Sequence, residues 1–341
     1  VAKVEELMSL CDRLEAARAE RETTRDRLSA ASLARLNTPD PDPAVFARDA
    51  RFTLDNLAAL TSRPDQIKQL RQTILNLAIR GKLVPQNPND EPAAELLSQL
   101  HHTRRHKRKF AQINVDELEV PLPDVPPGWL WTTLDQIAAD DENAITDGPF
   151  GSQLKSSHYI QTPGFRVVRL QNIGSGAFRG EHEAFIDRAR HERLAKHHLK
   201  AGDLVVAGLV DPLVRCCEIP KDLGPALVKA DCYRFAVHRR LSSRYALHFL
   251  NSPLAQIFAS VHHHGMTLTR IGLGNFRRIP IPLPPVAEQH RIAAKVDQLM
   301  KLCDRLEASL TDSATNRRRL LDALLAEALA PAEVTAREAA Q

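Results

Sequence analysis

The chain has 341 residues, 43% of them hydrophobic and only 5% aromatic, with a net charge of +4. That is enough apolar material for a sizeable core, and the low aromatic share favours long helices. No apolar run approaches the roughly 20 residues of a membrane span. The five cysteines (Cys11, Cys216, Cys217, Cys232, Cys303) form no CxxC pair, which excludes a zinc ribbon or disulfide framework and predicts reduced thiols in a cytoplasmic protein.

In chain order, residues 1–37 read as one helix, with apolar positions Val4, Leu7, Cys11 and Leu14 at three–four spacing and charged residues between them. Val1 starts in mid-pattern without an initiator Met, which suggests that something upstream is missing. Residues 38–127 open on TPDPDP, continue with a helix over 65–80 stopped by Arg80-Gly81, and pass through the loop PQNPNDEP to a short helix over 93–101. The basic run RRHKRK at 104–109 and the link VPLPDVPPG follow, the run reading as a solvated linker more than a phosphate grip.

From 128 to 285 the pattern turns to short β-rich runs at 165–170, 203–209, 233–237 and 278–283. Turns rich in Gly, Pro and Asp separate them, and helices are expected at 188–196 and 244–261. This stretch holds nineteen Lys/Arg against fourteen Asp/Glu, so the rest of the chain sums to minus one and the basic bias sits in the middle. Phosphate contact needs that bias, although a solvated basic face has the same composition. Residues 286–341 return to helix, with a seam of Val296, Leu299, Cys303, Leu306 and Leu310.

Residues 1–16 (VAKVEELMSLCDRLEA) and 293–308 (AAKVDQLMKLCDRLEA) match without gaps at twelve of sixteen positions. Twelve identities exclude chance and point to pseudo-symmetry. Neither seam can be hidden by its own helix, so each needs a partner: the other copy, or a helix of another protein. The expected architecture is mixed α/β (α+β), one globular domain flanked by long coiled-coil-forming helices.

Several strings in this order resemble the specificity subunit of type I restriction–modification systems: LRQTILNLAIRGKLVPQNPNDEPAAELL at 70–97, GWLWTTLDQIA at 128–138, DGPFGSQLKSSHY at 147–159, VVRLQNIGSG at 167–176, AGDLVVAG at 201–208, GMTLTRIGLGNFRRIPIPLPP at 265–285 and AEQHRI at 287–292. The resemblance implies a target recognition domain at 128–285, flanked by conserved helical regions that act as spacers. It would read one half of a bipartite site in double-stranded DNA. Methylation and cleavage would belong to separate modification and restriction subunits, which use S-adenosylmethionine, ATP and Mg, with no cofactor bound by this chain. Members of the family usually carry two recognition domains and this chain shows one. It is therefore expected to be either a fragment or a half-sized subunit that pairs with a second copy of itself.

Candidate DNA contacts follow from residue chemistry, since Lys and Arg neutralise phosphate, Arg pairs with guanine, and Asn or Gln pairs with adenine. Ser152, Gln153 and Lys155 sit in a Gly-rich loop, with Leu154 where a nucleotide-binding P-loop needs Gly. Arg169, Gln171 and Asn172 lie at a strand end. Alternation places Arg166 and Arg169 on opposite faces, so at most one of them should point at DNA and the other is expected to form a salt bridge. Arg215 is a further candidate, and Thr267, Thr269, Arg270, Asn275, Arg277 and Arg278 form the densest polar cluster. His262-His263-His264 and His197-His198 lack the i, i+4 spacing of helical metal ligands, and the triplet reads as surface imidazoles. No aminomethyltransferase tetrapeptide, Gly-rich cofactor loop or Walker pair is present, so catalysis by this chain is not expected. The competing expectation is a coiled-coil adaptor without sequence-specific DNA binding.

Overall fold

The computed structural model describes residues 2–38, 42–104, 109–113, 118, 120–209, 212–261, 263–264 and 269–329, with positions 4, 7, 43, 58, 263, 264, 328 and 329 as backbone only. The chain divides into two compact units, one of residues 1–71 and 299–341 and one of residues 72–298.

The first unit is helical. Helix α1 (Ala2–Asn37) carries the first copy of the repeat. Helix α2 (Pro43–Asp55) starts on the side chain of Asp42, which accepts from the Ala44 amide, with Pro43 inside the first turn where its missing N–H costs nothing. Helix α3 (Leu57–Leu60) and the opening of α4 (Pro64–Ile79) follow. Among the described side chains of α1, the buried ones lie in its C-terminal half. Leu33 and Leu36 are buried there, Leu57, Leu60, Ile67 and Leu70 are buried on the shorter helices, and α1 packs on α2 and α3. Asp26 fixes the approach of α4 by accepting from Arg63 Nη1 at 3.0 Å and Gln66 Nε2 at 2.8 Å.

The second unit begins with the rest of α4 and α5 (Ala93–Thr103), whose Ala93, Leu96 and Leu100 are buried. Next come β1 (Leu130–Thr133), the one-turn α6 (Leu134–Ile137), β2 (Ile145–Asp147), β3 (Phe165–Val168), β4 (Phe185–Ile186), α7 (Arg188–Arg193), β5 (His198–Leu199), β6 (Leu204–Ala207), β7 (Cys216–Glu218), β8 (Ala226–Val228) and β9 (Cys232–Phe235). Helices α8 (Ser243–Leu250) and α9 (Pro253–Val261), strands β10 (His263–His264) and β11 (Arg270–Ile271), helix α10 (Leu273–Arg278) and strand β12 (Pro280–Leu283) lead into α11 (Val286–Leu329), which carries the second copy.

Two four-stranded sheets form the core, in orders β2-β9-β6-β7 and β4-β3-β8-β5; β3 and β8 run parallel, and the other described pairs run antiparallel. They share one apolar layer, with Val168, Leu199, Ala226 and Val228 from one sheet and Val205, Ala207, Cys217 and Cys232 from the other. Burial on both faces explains why the runs at β6 and β8 are continuously apolar rather than alternating. On its far face the second sheet is covered by Leu154, Ala184 and Leu194, with Tyr159 and Phe165 packed alongside. That packing draws the 148–159 loop and the end of α7 onto one surface.

The start of α11 is clasped within this unit. Glu288 accepts from Trp129 Nε1 at 2.9 Å and Gln86 Nε2 at 2.7 Å, and Arg291 reaches Asp90 at 2.7 Å. Six residues on, Asp297 accepts from Arg244 Nη2 at 2.5 Å and lies 3.0 Å from His248 Nε2.

Several elements differ from the sequence expectation. The helix expected over 244–261 is two helices, because Pro253 cannot continue α8 and instead opens α9. Arg278 ends α10 instead of starting a strand. Strand β3 stops at Val168, and the short 3-10 turn of Leu170–Asn172 follows. The strands β2, β4, β5, β7 and β8 have only two or three residues, too few for periodicity to register.

Candidate nucleic-acid interface

The loop after β2 is fixed at its root by Asp147. Its Oδ1 accepts from the amides of Gly148 (2.7 Å) and Asp231 (2.9 Å), while its carbonyl meets His197 Nδ1 at 2.5 Å. Burial pushes the Asp147 carboxyl up to about 7, against the two amide hydrogen bonds, with the nearby Asp231 adding to the rise and Arg270 opposing it. Gly148 lies so close to the chain at Lys229 that a Cβ would sit 2.1 Å from the Lys229 carbonyl carbon. Only glycine lets the loop leave the sheet there.

Beyond that root Leu154 is buried, and Ser152, Gln153 and Lys155 are all exposed. Lys229 Nζ donates to the Leu154 carbonyl, and Arg190 Nη1 donates to the Gln153 carbonyl at 3.2 Å. The Lys155 amide donates to His158 Nδ1 at 3.0 Å. His158 is held below the ordinary imidazole range by desolvation and by the positive charges of Arg190, Lys155, Lys229 and Arg193. Lys229 and Arg190 thus meet the loop at the consecutive carbonyls of Leu154 and Gln153, next to Lys155. Arg190 and Arg193 come from α7, whose N-terminus is capped by Asp187 accepting from the Arg190 amide. Neither arginine stands out in the sequence, because α7 carries Glu192 as well and nothing in the local pattern brings Arg190 beside Gln153, 37 residues earlier.

Arg270 adjoins the same loop. Its Nε lies 2.8 Å from Asp231, its Nη2 lies 3.8 Å from Asp147, and its guanidinium stands 5.1 Å from the ring centroid of the exposed Phe150. Arg169, just after β3, has its guanidinium 5.7 Å from the Tyr159 ring centroid and Nη2 donating to the His182 carbonyl at 2.5 Å. Gln171 is exposed beside it, and Thr269 is half-buried.

Other candidates are committed to the fold. Asn172 is fully buried. Its amide donates to the Arg179 (2.9 Å) and Glu181 (2.8 Å) carbonyls and its Oδ1 accepts from the Arg169 amide, so it shapes the loop and has no edge left for a base. Arg215 donates to the Ile173 and Leu170 carbonyls at 2.9 and 3.2 Å. Arg277 pairs with Asp135 at 3.3 Å and donates to the Ile145 carbonyl at 2.6 Å. Asn275 is half-buried on α10 and Arg278 is exposed at its end. Thr267 lies outside the described residues.

Arg166 is buried, paired with Glu183 and donating to the Gly180 carbonyl at 2.7 Å, in line with the salt bridge expected of one of the two strand arginines. Both arginines nonetheless reach the 180–183 segment, Arg166 beside the Phe185 ring and Arg169 beside the Tyr159 ring.

Arg104, at the head of the basic run, is likewise internal: Nη2 donates to the Gln136 and Ala138 carbonyls at 2.6 and 2.8 Å. Residues 105–108 and His262 lie outside the described residues, and His263 and His264 are described only as β10 backbone. Among the described residues no group of His, Cys, Asp or Glu is arranged to hold a metal ion, and no helix is long and apolar enough to cross a membrane.

On the long helices, Val296 and Cys303 are buried, Leu299, Leu306 and Leu310 are half-buried, and Cys11 and Leu14 are exposed. The side chains of Val4 and Leu7 are not among those described.

Residues 222–316 match the family model described as the type I restriction modification DNA specificity domain. The chain belongs to the type I restriction–modification specificity family. Two Escherichia coli relatives are the type I restriction enzyme EcoAI specificity subunit, 31% identical over 76% of this chain and 44% of the relative, and the EcoEI specificity subunit, 30% identical over 96% and 56%. The chain therefore spans about half the length of the curated relatives it matches. A solved chain from a study of complex assembly in the type I R-M system overlays with a TM-score of 0.48 at 18% identity, over 84% of this chain and 60% of that one.

Proposed function

We propose that this member of the specificity family recognises double-stranded DNA without catalysing a reaction, reading one half of a bipartite site on behalf of modification (methyltransferase) and restriction subunits that dock on its helices. S-adenosylmethionine, ATP and Mg belong to those partner subunits in this reading. The observation that carries it is the gathering of Lys155, Lys229 and Arg190 along residues 153–158 of a glycine-rooted loop, in the domain that runs into the matched specificity segment. Lys155, Arg190 and Arg193 supply phosphate neutralisation, while the exposed Gln153 and Gln171 offer amide groups suited to adenine. Arg270 and Arg169 border the same surface, each partly engaged within the protein, and Arg278 is exposed elsewhere on the domain.

The test is a binding-site selection on the chain assembled with a modification subunit, repeated with Lys155→Glu, Arg190→Glu and Arg193→Glu combined. A selected sequence is expected for the parent. Removal of up to three phosphate contacts should reduce the slope of log affinity against log salt by about 2.7. No sequence preference in the parent complex would overturn the reading. An adaptor function is the second reading, favoured by the exposed Met8, Leu14, Leu320 and Leu324. It gains if DNA affinity and methylation specificity survive that triple reversal and a further reversal of Arg270 and Arg278.

A further inference from the structure

The connection from β6 to β7 re-enters the sheet on a strained residue. Val214 and Arg215 together oppose the single residue Ala207, whose carbonyl accepts from the Val214 amide at 3.0 Å and whose amide donates to the Arg215 carbonyl at 2.9 Å. This is a β-bulge of the kind whose first residue lies in the left-handed region and is usually glycine; here it is a buried valine at φ 54. A β-branched residue stays in that conformation only where its surroundings fix it, and such outliers collect at sites where groups have to be aimed. The group beside it is Arg215. Its Nε donates to the Ile173 carbonyl at 2.9 Å and its Nη2 to the Leu170 carbonyl at 3.2 Å, the carbonyls that bracket Gln171 and Asn172. Asn172 ties the same turn to the Arg179 and Glu181 carbonyls, and the Gly176 amide donates to the Cys216 carbonyl at 2.8 Å. Between these ties Asn172, Ile173 and Gly174 are buried and Gln171 is exposed, its carboxamide without a hydrogen-bond partner among the described residues.

We propose that Arg215 is a positioning residue for base reading: by spanning the Leu170 and Ile173 carbonyls it fixes the backbone of Gln171, so that the Gln171 carboxamide meets the N6 and N7 edge of one adenine. This rests on the DNA-recognition reading above and adds to it which group reads a base edge and what holds that group in place. A guanidinium suits the task because its planar fork reaches two carbonyls at once, whereas a lysine would satisfy one. A glutamine on a loose loop gives up backbone and side-chain freedom when it binds. Here the backbone share of that loss is already met in folding, which is how a reading group becomes selective. A bulge re-aims the side chain beside it, so the strain at Val214 and the reach of Arg215 belong to one device.

The test uses the full chain assembled with a modification subunit, on the duplex recovered by binding-site selection with the parent complex. Each adenine of that duplex is replaced in turn by an analogue lacking the N7 acceptor, and affinity is measured for the parent, Gln171→Ala, Arg215→Lys and Arg215→Met. In the parent, one position should lose about tenfold. Gln171→Ala should bind the unmodified duplex about tenfold more weakly and be indifferent to the analogue at that position. Arg215→Lys keeps the charge, the stem and one hydrogen bond, so it retains the fold. Its loss at that position should shrink to about threefold or less, with the other positions and the salt slope unchanged. A role confined to folding predicts that Arg215→Lys and Arg215→Met weaken every duplex alike and keep the full sensitivity to the analogue. That result would overturn the inference, as would a sensitive position that stays sensitive in Gln171→Ala, and either leaves the DNA-recognition reading intact. A parent complex that selects no sequence overturns that reading and this inference with it.

Discussion

Asp147 gives the sharpest handle on how the loop at the candidate interface is held, through the substitution Asp147→Asn. The asparagine keeps an acceptor oxygen for the Gly148 and Asp231 amides, which the carboxylate now engages at 2.7 and 2.9 Å, and removes the ionisable proton. The carboxyl is pushed up to about 7 from an ordinary value of 3.8, mainly by burial. A carboxyl whose folded value lies above its unfolded value binds more protons in the folded state between those two pH values, so stability falls as pH rises from about 4 to about 7. The full shift is worth about 4 kcal/mol at 1.36 kcal/mol per unit, a ceiling that solvent screening and the Arg270 contact reduce to about 1–2 kcal/mol. Asp147→Asn is therefore expected to stabilise the protein by about 1–2 kcal/mol at pH 8 and by little or nothing at pH 4.5. Urea unfolding followed by tryptophan fluorescence reads this directly, because the chain's two tryptophans, Trp129 and Trp131, both lie in the same compact unit as Asp147. Equal destabilisation at both pH values would refute the reasoning, since the charge–charge contact with Arg270 would then outweigh the desolvation of the carboxylate.

Asp297 should behave in the opposite sense. Burial opposes its ionisation, yet hydrogen bonds from His248 and Arg244 lower it to about 2, so its contribution is present above about pH 4 and is lost as pH falls toward 2. Asp297→Asn is expected to cost about 1–2 kcal/mol at pH 7 by urea unfolding, with the difference closing near pH 2. Gly148→Ala forces a Cβ into the Lys229 backbone and should destabilise by about 2–4 kcal/mol, with the loop losing hydrogen-exchange protection first. Cys216, Cys217 and Cys232 are buried, and burial raises all three thiols, Cys217 to about 12; iodoacetamide at pH 8 should label Cys11 well ahead of them in the native protein.

The long helices and the general place of the β-rich domain were legible because their signals are long. A 36-residue helix and a 44-residue helix repeat their pattern often enough to be read, and twelve identities in sixteen cannot hide. The candidate interface was legible only in part, for a reason that Arg169, Asn172 and Arg190 make concrete. Sequence chemistry scores a side chain by what it is able to bind, and Asn172 scores well, yet its amide is spent on two carbonyls seven and nine residues away. Arg190 scores no better than any surface arginine until the apolar contact of Leu194 and Leu154 brings α7 against the 148–159 loop. Arg169 is a candidate by chemistry, yet its guanidinium is partly engaged by the His182 carbonyl thirteen residues away. Irregular segments of two to four residues thus decide which polar groups remain exposed, and such segments carry almost no periodic signal. The repeat is the exception, because there the sequence supplies its own control. Met8, Cys11, Asp12 and Glu15 recur as Met300, Cys303, Asp304 and Glu307; the second carboxylate pair holds Arg71 and the first set is exposed, so the difference lies in what packs on them and not in the residues.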